Sequence, residues 1–250
     1  MSRIAPDGYD VLVLPLNDGP GTHVNYGTAG TTGNWTDYGN PISGAQGLLG
    51  DAVYIPSSYI TTVHDGCGGG NDILVTPNVS LSGWIYIRKI LDGNSAYAFE
   101  IFNKQYFLNG WSNPYITFGI QLEALTSGPS GGWTFYMTVA GVLQFVTMSD
   151  GNNTGKNLIN WGRWCHIGGT WNGTTLTTYL NGSVVGSSST FPGAIDYGTA
   201  GNRGQWYTGA IPGTATTNQS PAILVQDVRV ANIVRPQSYF ANVYYNGFTP

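Results

Sequence analysis

The chain has 250 residues with a net charge of −4, and only 9% of its residues are charged. Ordinary globular domains carry about 25% charged residues, so Asn, Thr, Ser and Tyr must supply much of the surface polarity. The acidic balance leaves no basic patch for a phosphate backbone, which excludes nucleic-acid binding. No segment reaches the ~20 apolar residues of a membrane span. Asp7 and Asp10 interrupt the apolar run that an N-terminal secretion signal needs.

Apolar and polar residues alternate with a period of two along the whole chain, and no long window shows a helical period. This pattern predicts an all-β protein. The predicted strands, in chain order, cover residues 10–16, 52–55, 81–87, 96–102, 115–122, 133–139, 142–148, 164–171, 174–180, 183–187 and 222–231. One short helical turn is predicted after Pro236, through "QSYFANVY", because proline suits the first turn of a helix.

Tight turns separate many of these strands. Asn172-Gly173 and Asn181-Gly182 predict two-residue type I′ turns, which need φ > 0 at both central positions, and Ala140-Gly141 is a further candidate. About a dozen strands without a linker predict a single domain over residues 1–250, built as a two-sheet antiparallel β-sandwich or jelly roll. The predicted core contains Val11, Val13, Trp84, Ile85, Ile87, Trp164, Trp171, Leu180, Val228 and Val230.

The segment "WCHIGGTWNGTTLTTYLNGSVVGSS" resembles the central signature of the laminin G-like, concanavalin A-like lectin family. Four further segments follow in the order of that family: "DVLVLPLNDG" with "NYGTAGTTGNWT", "GLLGDAVYIPSSYITT", "NVSLSGWIYIRK" and "AILVQDVRVANIVRPQSYF". The resemblance spans nearly the whole chain and implies two antiparallel sheets of six or seven strands each. It implies little about the ligand, because family members bind glycans, proteins or calcium, or serve structural roles.

No catalytic residues are predicted. Some proteins with this fold cleave glycosides with a cluster of carboxylates on one strand, but neither Glu100 nor Glu123 has an acidic residue within four positions. His166 stands at a position that is structural in the family pattern, so it is interpreted as a packed imidazole. The sequence therefore predicts that the protein is not an enzyme.

The segment "HDGCGGGND" gathers polar side chains among four glycines. Oxygen ligands from Asp65, Asn71 and Asp72, with backbone carbonyls, could form a calcium site, although a solvated flexible loop is the favoured interpretation. No other cofactor is predicted. Cys67 and Cys165 could pair, but two cysteines do not make a disulfide framework.

Aromatic residues in or beside Gly-rich and Asn-rich loops are the predicted contact residues. Sugar rings and protein partners both dock on such rings. The candidates for partner or glycan binding are Trp206, Tyr207, Trp111, Trp133, Trp35 and Tyr38. Trp206 and Tyr207 lie in a long predicted loop, 193–220, and loops of that length are usually functional or mobile.

Two functions fit these features. The first is a structural accessory protein of a bacteriophage virion, on the capsid, tail or fibre, that docks through rim loops onto other virion proteins or surface glycans. The low charge and the Gly, Asn and Thr content favour this function, which predicts an oligomer or large assembly and a virion location. The alternative is a freestanding glycan-binding lectin module, which predicts an extracellular or cell-surface location.

Overall fold

The computed structural model describes residues 5–39, 41–55, 66–70, 73, 77–89, 97–106, 114, 116–124, 131–147, 162–189, 192–200, 203–209 and 222–248. Within these ranges the strands are β1 (Asp10–Leu14), β2 (Thr22–His23), β3 (Trp35–Tyr38), β4 (Ile42–Gln46), β5 (Asp51–Ile55), β6 (Gly66–Gly69), β7 (Val79–Lys89), β8 (Tyr97–Gln105), β9 (Ile116–Ala124), β10 (Gly131–Val139), β11 (Val142–Thr147), β12 (Trp164–Trp171), β13 (Leu176–Leu180), β14 (Ser183–Ser188), β15 (Trp206–Gly209) and β16 (Ala222–Ala231). A 3₁₀ helix covers Gly30–Gly33, and the α-helix α1 covers Gln237–Phe248.

These strands form two eight-stranded antiparallel sheets, which confirms the predicted two-sheet sandwich. The first sheet has the order β14-β13-β12-β7-β16-β5-β4, and β1 pairs with the second half of β16. The second sheet has the order β11-β10-β9-β8-β15-β6-β3-β2. Both sheets are larger than the six or seven strands that the family resemblance implies.

The core lies between the two sheets and is built by alternation along the strands. On β12, Ile167 and Trp171 face the second sheet and are buried. Gly169 lies between them, and a Cβ atom there would come within 1.9 Å of the ring of Phe135 from β10. The small residue therefore makes room for a phenylalanine from the opposite sheet, and Gly83 of β7 does the same for Phe102.

Helix α1 covers the outer face of the first sheet. Phe240 stacks on Tyr179 with 3.9 Å between ring centroids, and Tyr244 stacks on Trp84 at 5.9 Å. Gly168 is placed beneath Phe240, where a Cβ atom would come within 2.6 Å of the ring. The adjacent glycines of "HIGGTW" thus accept one aromatic ring on each face of the sheet. The predicted helical turn is a 12-residue helix, longer than the sequence indicates.

The predicted core residues are all buried except Trp164. Trp84 is fully buried, as predicted, and its cover is α1 on the outer face of the first sheet, next to His166 of β12 at 5.2 Å. Trp164 is only half-buried, because it begins β12 on that same outer face, beside Tyr86. The inter-sheet core instead contains Trp35, Trp171 and Trp206.

Two segments that the sequence indicates as loops contain strands. Within "HDGCGGGND", Gly66–Gly69 forms β6, which pairs with β3 and β15. Glycine suits this strand because a Cβ atom on Gly69 would come within 2.2 Å of the carbonyl oxygen of Asn34. Within the predicted loop 193–220, Trp206–Gly209 forms β15, which pairs with β6 and β8. The loop interpretation is therefore wrong for Gly66–Gly69 and for Trp206–Gly209.

The hairpin turns differ in one case from the prediction. Asn181 and Gly182 have φ of 50° and 79°, and Ala140 and Gly141 have φ of 51° and 75°, as type I′ turns require. Asn172 belongs to a longer connection between β12 and β13, where its Oδ1 accepts hydrogen bonds from the backbone N–H of Thr174 and Thr175. That asparagine closes an Asx turn.

Candidate functional site

Three of the predicted contact aromatics are buried. Trp206 and Trp35 are each 1% exposed, and Tyr207 is 0% exposed. Trp206 also donates a hydrogen bond from Nε1 to the carbonyl oxygen of Ile73, and the Lys104 ammonium lies 5.8 Å from its ring. The prediction that these rings lie on rim loops is wrong, because each belongs to a strand of the second sheet. They lack the exposed surface that docking needs.

The remaining sequence candidates lie outside the described residues or have side chains that are not described. Trp111 and the three proposed calcium ligands, Asp65, Asn71 and Asp72, lie outside the described ranges. Tyr38 and Trp133 belong to β3 and β10, but their side chains are not described. Their contact and calcium roles stay predictions.

His166 is a packed imidazole, as the sequence indicates. It is 1% exposed, beneath α1 and against the ring of Trp84. Burial, aided by the positive charge of Arg229, lowers its pKa to about 3. Its Nδ1 atom has no hydrogen-bond partner among the described residues. The side chain therefore stays neutral near pH 7 and is closed to solvent.

The outer face of the second sheet is polar and buried. Apolar residues of β9 and β10 face the core, and Thr117, Gln121, Thr134 and Thr138 alternate with them. Each of these four side chains is at most 1% exposed. These four polar side chains are therefore closed to solvent.

Backbone register places the two glutamates of the chain near each other. Glu100 on β8 pairs with Gln121 on β9, and Glu123 on β9 pairs with Ala98 on β8. The two positions are diagonal neighbours on adjacent strands, where Cα atoms are about 7–8 Å apart. The two glutamates therefore stand apart along the chain but are neighbours across the sheet.

An open pocket of about 220 Å³ lies over β1 and β16, on the outer face of the first sheet. We call it the Tyr26 pocket. It is mostly apolar, with the exposed Tyr26 ring on one side and the buried Arg229 guanidinium as its charged group. Its lining residues are Ala5, Pro6, Val13, Pro15, Asn17, Tyr26 and Arg229.

A buried asparagine fixes the backbone that carries Tyr26. Asn25 accepts hydrogen bonds at Oδ1 from the N–H groups of Val13, at 2.7 Å, and Gly27, at 3.0 Å. Its Nδ2 donates to the carbonyl oxygen of Gly30 at 3.1 Å. Tyr26 itself donates from its backbone N–H to the carbonyl oxygen of Val13 at 2.9 Å. These bonds hold the segment against β1. Tyr26 is nevertheless 57% exposed.

Two residues near the pocket have left-handed backbone conformations. Leu16 has φ of 57° and follows the lining residue Pro15, while Asp227 has φ of 51° at the bulge in β16. The N–H of Asp227 donates to the carbonyl oxygen of Pro15 at 3.2 Å. This bond links the two segments that contain the left-handed residues. Such conformations cost on the order of 1–3 kcal/mol each and cluster at functional sites.

Charged groups around the pocket are paired. Arg229 donates from Nε and Nη2 to the carboxylate of Asp227, at 3.1 to 3.2 Å. Arg235 donates to Asp7 at 2.7 Å and to Asp10 at 2.6 Å. The bond from Arg235 lowers the pKa of Asp7 to about 2. The Arg235 pairs join the N-terminal segment to the residues just before α1.

Sequence reasoning missed the residues of this pocket. Tyr26 stands in "NYGTAG", whose Asn, Gly and Thr content indicates a turn that exposes its aromatic residue. Arg229 belongs to "DVRV", which the family resemblance marks without a role. The turn pattern around Tyr26 indicates an exposed ring, but no sequence pattern indicates that this ring lies beside β16.

The family model described as the concanavalin A-like lectin/glucanases superfamily, Laminin_G_3, matches residues 68–238. This match covers more than half of the chain, so the chain belongs to that family. No curated protein matches the chain.

Solved structures share the fold at low sequence identity. The binding domain of Paraclostridial mosquitocidal protein 1 has a TM-score of 0.64 at 14% identity, over 96% of this chain and 53% of that chain. The receptor-binding domain of botulinum neurotoxin C/D mosaic serotype has a TM-score of 0.64 at 16% identity, over 95% and 51%. This chain therefore spans about half the length of these toxin domains.

A third similar structure matches over its whole length. Domain 4 of AbnA, a GH43 extracellular arabinanase from Geobacillus stearothermophilus in complex with arabinotriose, has a TM-score of 0.60 at 13% identity. The match covers 94% of this chain and 98% of that domain. At these identities the likeness shows the fold alone.

Among the described residues, no helix is both long and apolar enough to cross a membrane.

Proposed function

We propose that the chain is a non-catalytic carbohydrate-binding module whose Tyr26 pocket holds a sugar ring. The observation that carries the proposal is the exposed Tyr26 ring, fixed by the Asn25 hydrogen bonds beside an open concave pocket. A sugar presents C–H groups on one face and hydroxyl groups at its edge. The aromatic ring suits the first, and Asn17 and Arg229 suit the second.

The size of the pocket limits its occupant. Sites for drug-sized ligands usually measure 300–1,000 Å³, and this pocket measures about 220 Å³. It therefore suits one ring of a glycan, with the rest of the chain in solvent. Burial of ~60 Å² of apolar surface on Tyr26 contributes about 1.5 kcal/mol at ~25 cal/mol per Å², or roughly tenfold in affinity.

The comparisons support a sugar as the ligand. Domain 4 of the arabinanase is a similar domain that holds arabinotriose, and it corresponds to this chain over nearly its full length. The toxin domains are described as binding domains, but only about half of each corresponds to this chain. The arabinanase domain therefore gives the stronger support.

The proposal is tested with two tyrosine variants. We expect the parent protein to bind members of a neutral oligosaccharide panel, arabinotriose and lactose included, and Tyr26→Ala to weaken that binding about tenfold in calorimetric titrations. Tyr245→Ala is the matched control, because Tyr245 is 66% exposed on α1 and lies outside the pocket. Equal affinity for Tyr26→Ala and the parent would remove the pocket from the proposal.

The same panel tests the absence of catalysis. Glycoside cleavage requires two carboxyl groups roughly 5 to 10 Å apart, and register brings Glu100 and Glu123 to diagonal positions. The residues beside them on the same face are closed to substrate, Gln121 at 1% exposure. We expect no release of reducing ends. Release that disappears in Glu100→Gln or Glu123→Gln would make the chain a hydrolase.

A virion accessory role is the second candidate function. Its support is the composition, in which only 9% of residues are charged. Under this proposal the module docks onto other virion proteins, in an oligomer or larger assembly, and its sugar site faces outward. Purification of the native source tests it: the chain must sediment with a large particle at high salt. A chain recovered only as a monomer contradicts this role and leaves the sugar proposal intact.

A further inference from the structure

We infer that the Tyr26 pocket selects neutral sugars and disfavours acidic ones, such as sialic acid or uronic acids. This inference rests on the proposed sugar-binding function and specifies its substrate class. The observations that carry it are the charged groups around the pocket and their pairing.

Among the described lining residues, the one cation is Arg229, and its charge is already neutralised. Arg229 is 3% exposed, and Asp227 accepts its hydrogen bonds from Nε and Nη2. An acidic sugar would have to compete with a carboxylate that is 2% exposed and belongs to the same strand. Because that partner is fixed beside it, the guanidinium contributes hydrogen-bond donors without net positive charge.

The surrounding groups add negative charge. Arg235 faces two carboxylates, Asp7 and Asp10, in one cluster next to the lining residues Ala5 and Pro6. Asp18 lies one residue beyond the lining residue Asn17, and its carboxylate accepts the backbone N–H of Val24. Around the pocket, the described carboxylates Asp7, Asp10, Asp18 and Asp227 outnumber the two guanidiniums of Arg229 and Arg235.

This surplus disfavours a carboxylate ligand by repulsion. Two unit charges about 10 Å apart in water interact by an amount equivalent to roughly a twofold change in affinity, and salt screens the interaction over ~10 Å at 0.1 M. With two excess carboxylates among the described residues near the pocket, an acidic sugar should bind about fourfold more weakly than its neutral counterpart at low salt.

The experiment compares matched pairs of sugars by titration at 50 mM and 500 mM NaCl. The pairs are lactose with 3′-sialyllactose, and digalactose with digalacturonate. We expect the neutral member to bind with a salt-independent affinity. The acidic member should bind up to about fourfold more weakly at 50 mM, and the gap should fall below about twofold at 500 mM.

One charge variant locates the source of the selectivity. Asp18→Asn removes a carboxylate but keeps an oxygen that can accept the N–H of Val24. We expect it to improve binding of the acidic sugars about twofold at 50 mM and to leave neutral sugars unchanged. Asp196→Asn is the control, because Asp196 contacts Tyr106 beside the second sheet, away from the pocket. Its affinities should equal those of the parent.

The outcomes separate the two proposals. Acidic sugars that bind as tightly as neutral ones, or more tightly, would overturn the inference and retain the sugar-binding function. No binding of any sugar, neutral or acidic, would overturn the proposed function together with the inference. Selectivity that Asp18→Asn and salt leave unchanged would show that charge around the pocket is not its cause.

Discussion

Two adjacent glycines show how single residues determine the packing of this sandwich. Gly168 and Gly169 point to opposite faces of β12, and each is covered by a phenylalanine ring, Phe240 of α1 and Phe135 of β10. Neither glycine has a positive φ. Glycine is therefore needed at these two positions because an aromatic ring lies close to the backbone. The unusual backbone conformations open to glycine are not used.

We predict that Gly169→Ala destabilises the protein by about 1–3 kcal/mol, the usual cost of overpacking a core. The added Cβ atom would meet the Phe135 ring at 1.9 Å, and that ring is enclosed between the sheets. Gly19→Ala is the control, because nothing lies within 4 Å of a Cβ atom there. Urea unfolding measures both variants, and equal midpoints for the two would refute this account of the Gly-Gly pair.

His166 predicts a pH dependence of stability. Its pKa is about 6.5 in an unfolded chain and about 3 in the folded protein, mainly because of burial. Between these values the unfolded state binds a proton that the folded state does not, so stability falls as pH decreases. The free energy of unfolding should fall by up to about 1.4 kcal/mol per pH unit below pH 6.5.

Urea unfolding at several pH values tests this prediction, and His166→Phe should flatten the profile between pH 4 and 6.5. The Asp7 carboxyl acts in a lower window. Because its folded pKa of about 2 lies below its ordinary value of 3.8, its contribution is present above pH 4 and is lost as pH falls toward 2. A profile that stays steep above pH 4 in the His166 variant would assign the dependence to other groups.

At the scale of elements, α1 is part of the hydrophobic structure. Phe240 is fully buried, against Tyr179 and above Gly168. We predict that Phe240→Ala costs about 3–5 kcal/mol, the range for a buried aromatic residue. Tyr245→Ala on the same helix should stay within about 0.5 kcal/mol, since its ring is 66% exposed. Thermal unfolding of both variants measures the difference, and similar losses would place α1 at the periphery.

Long alternating segments could be predicted from the sequence, and short glycine strands could not. Strands such as Trp164–Trp171 and Ala222–Ala231 carry enough alternation to be recognised alone. The strand Gly66–Gly69 has no side-chain pattern, because three of its four residues are glycine, and only its neighbours β3 and β15 make it a strand. Pairing with neighbouring strands determines the conformation of such segments. Composition does not show that pairing, so it indicates a loop there.

The candidate site was less predictable than the fold. The aromatic residues Trp206 and Tyr207 follow a Gly-rich and Asn-rich stretch, which indicates a loop, yet pairing with β8 places both in a sheet. Tyr26 becomes a candidate only when β1, β16 and the N-terminal segment are brought together. Arg229 of β16 is more than 200 positions from the other lining residues, and no pattern in a single sequence indicates that contact.

For the whole molecule, the central place of β16 affects how the protein can be made. β16 pairs with β1, β5 and β7, and Gln226 contacts Leu49 across 177 residues of sequence. At a synthesis rate of about 5–20 residues per second, the early strands wait roughly 10 to 35 s on the ribosome before their shared partner emerges. The first sheet must therefore close after most of the chain has been synthesised. Nascent chains that stall before Ala222 would present these strands to chaperones and to one another.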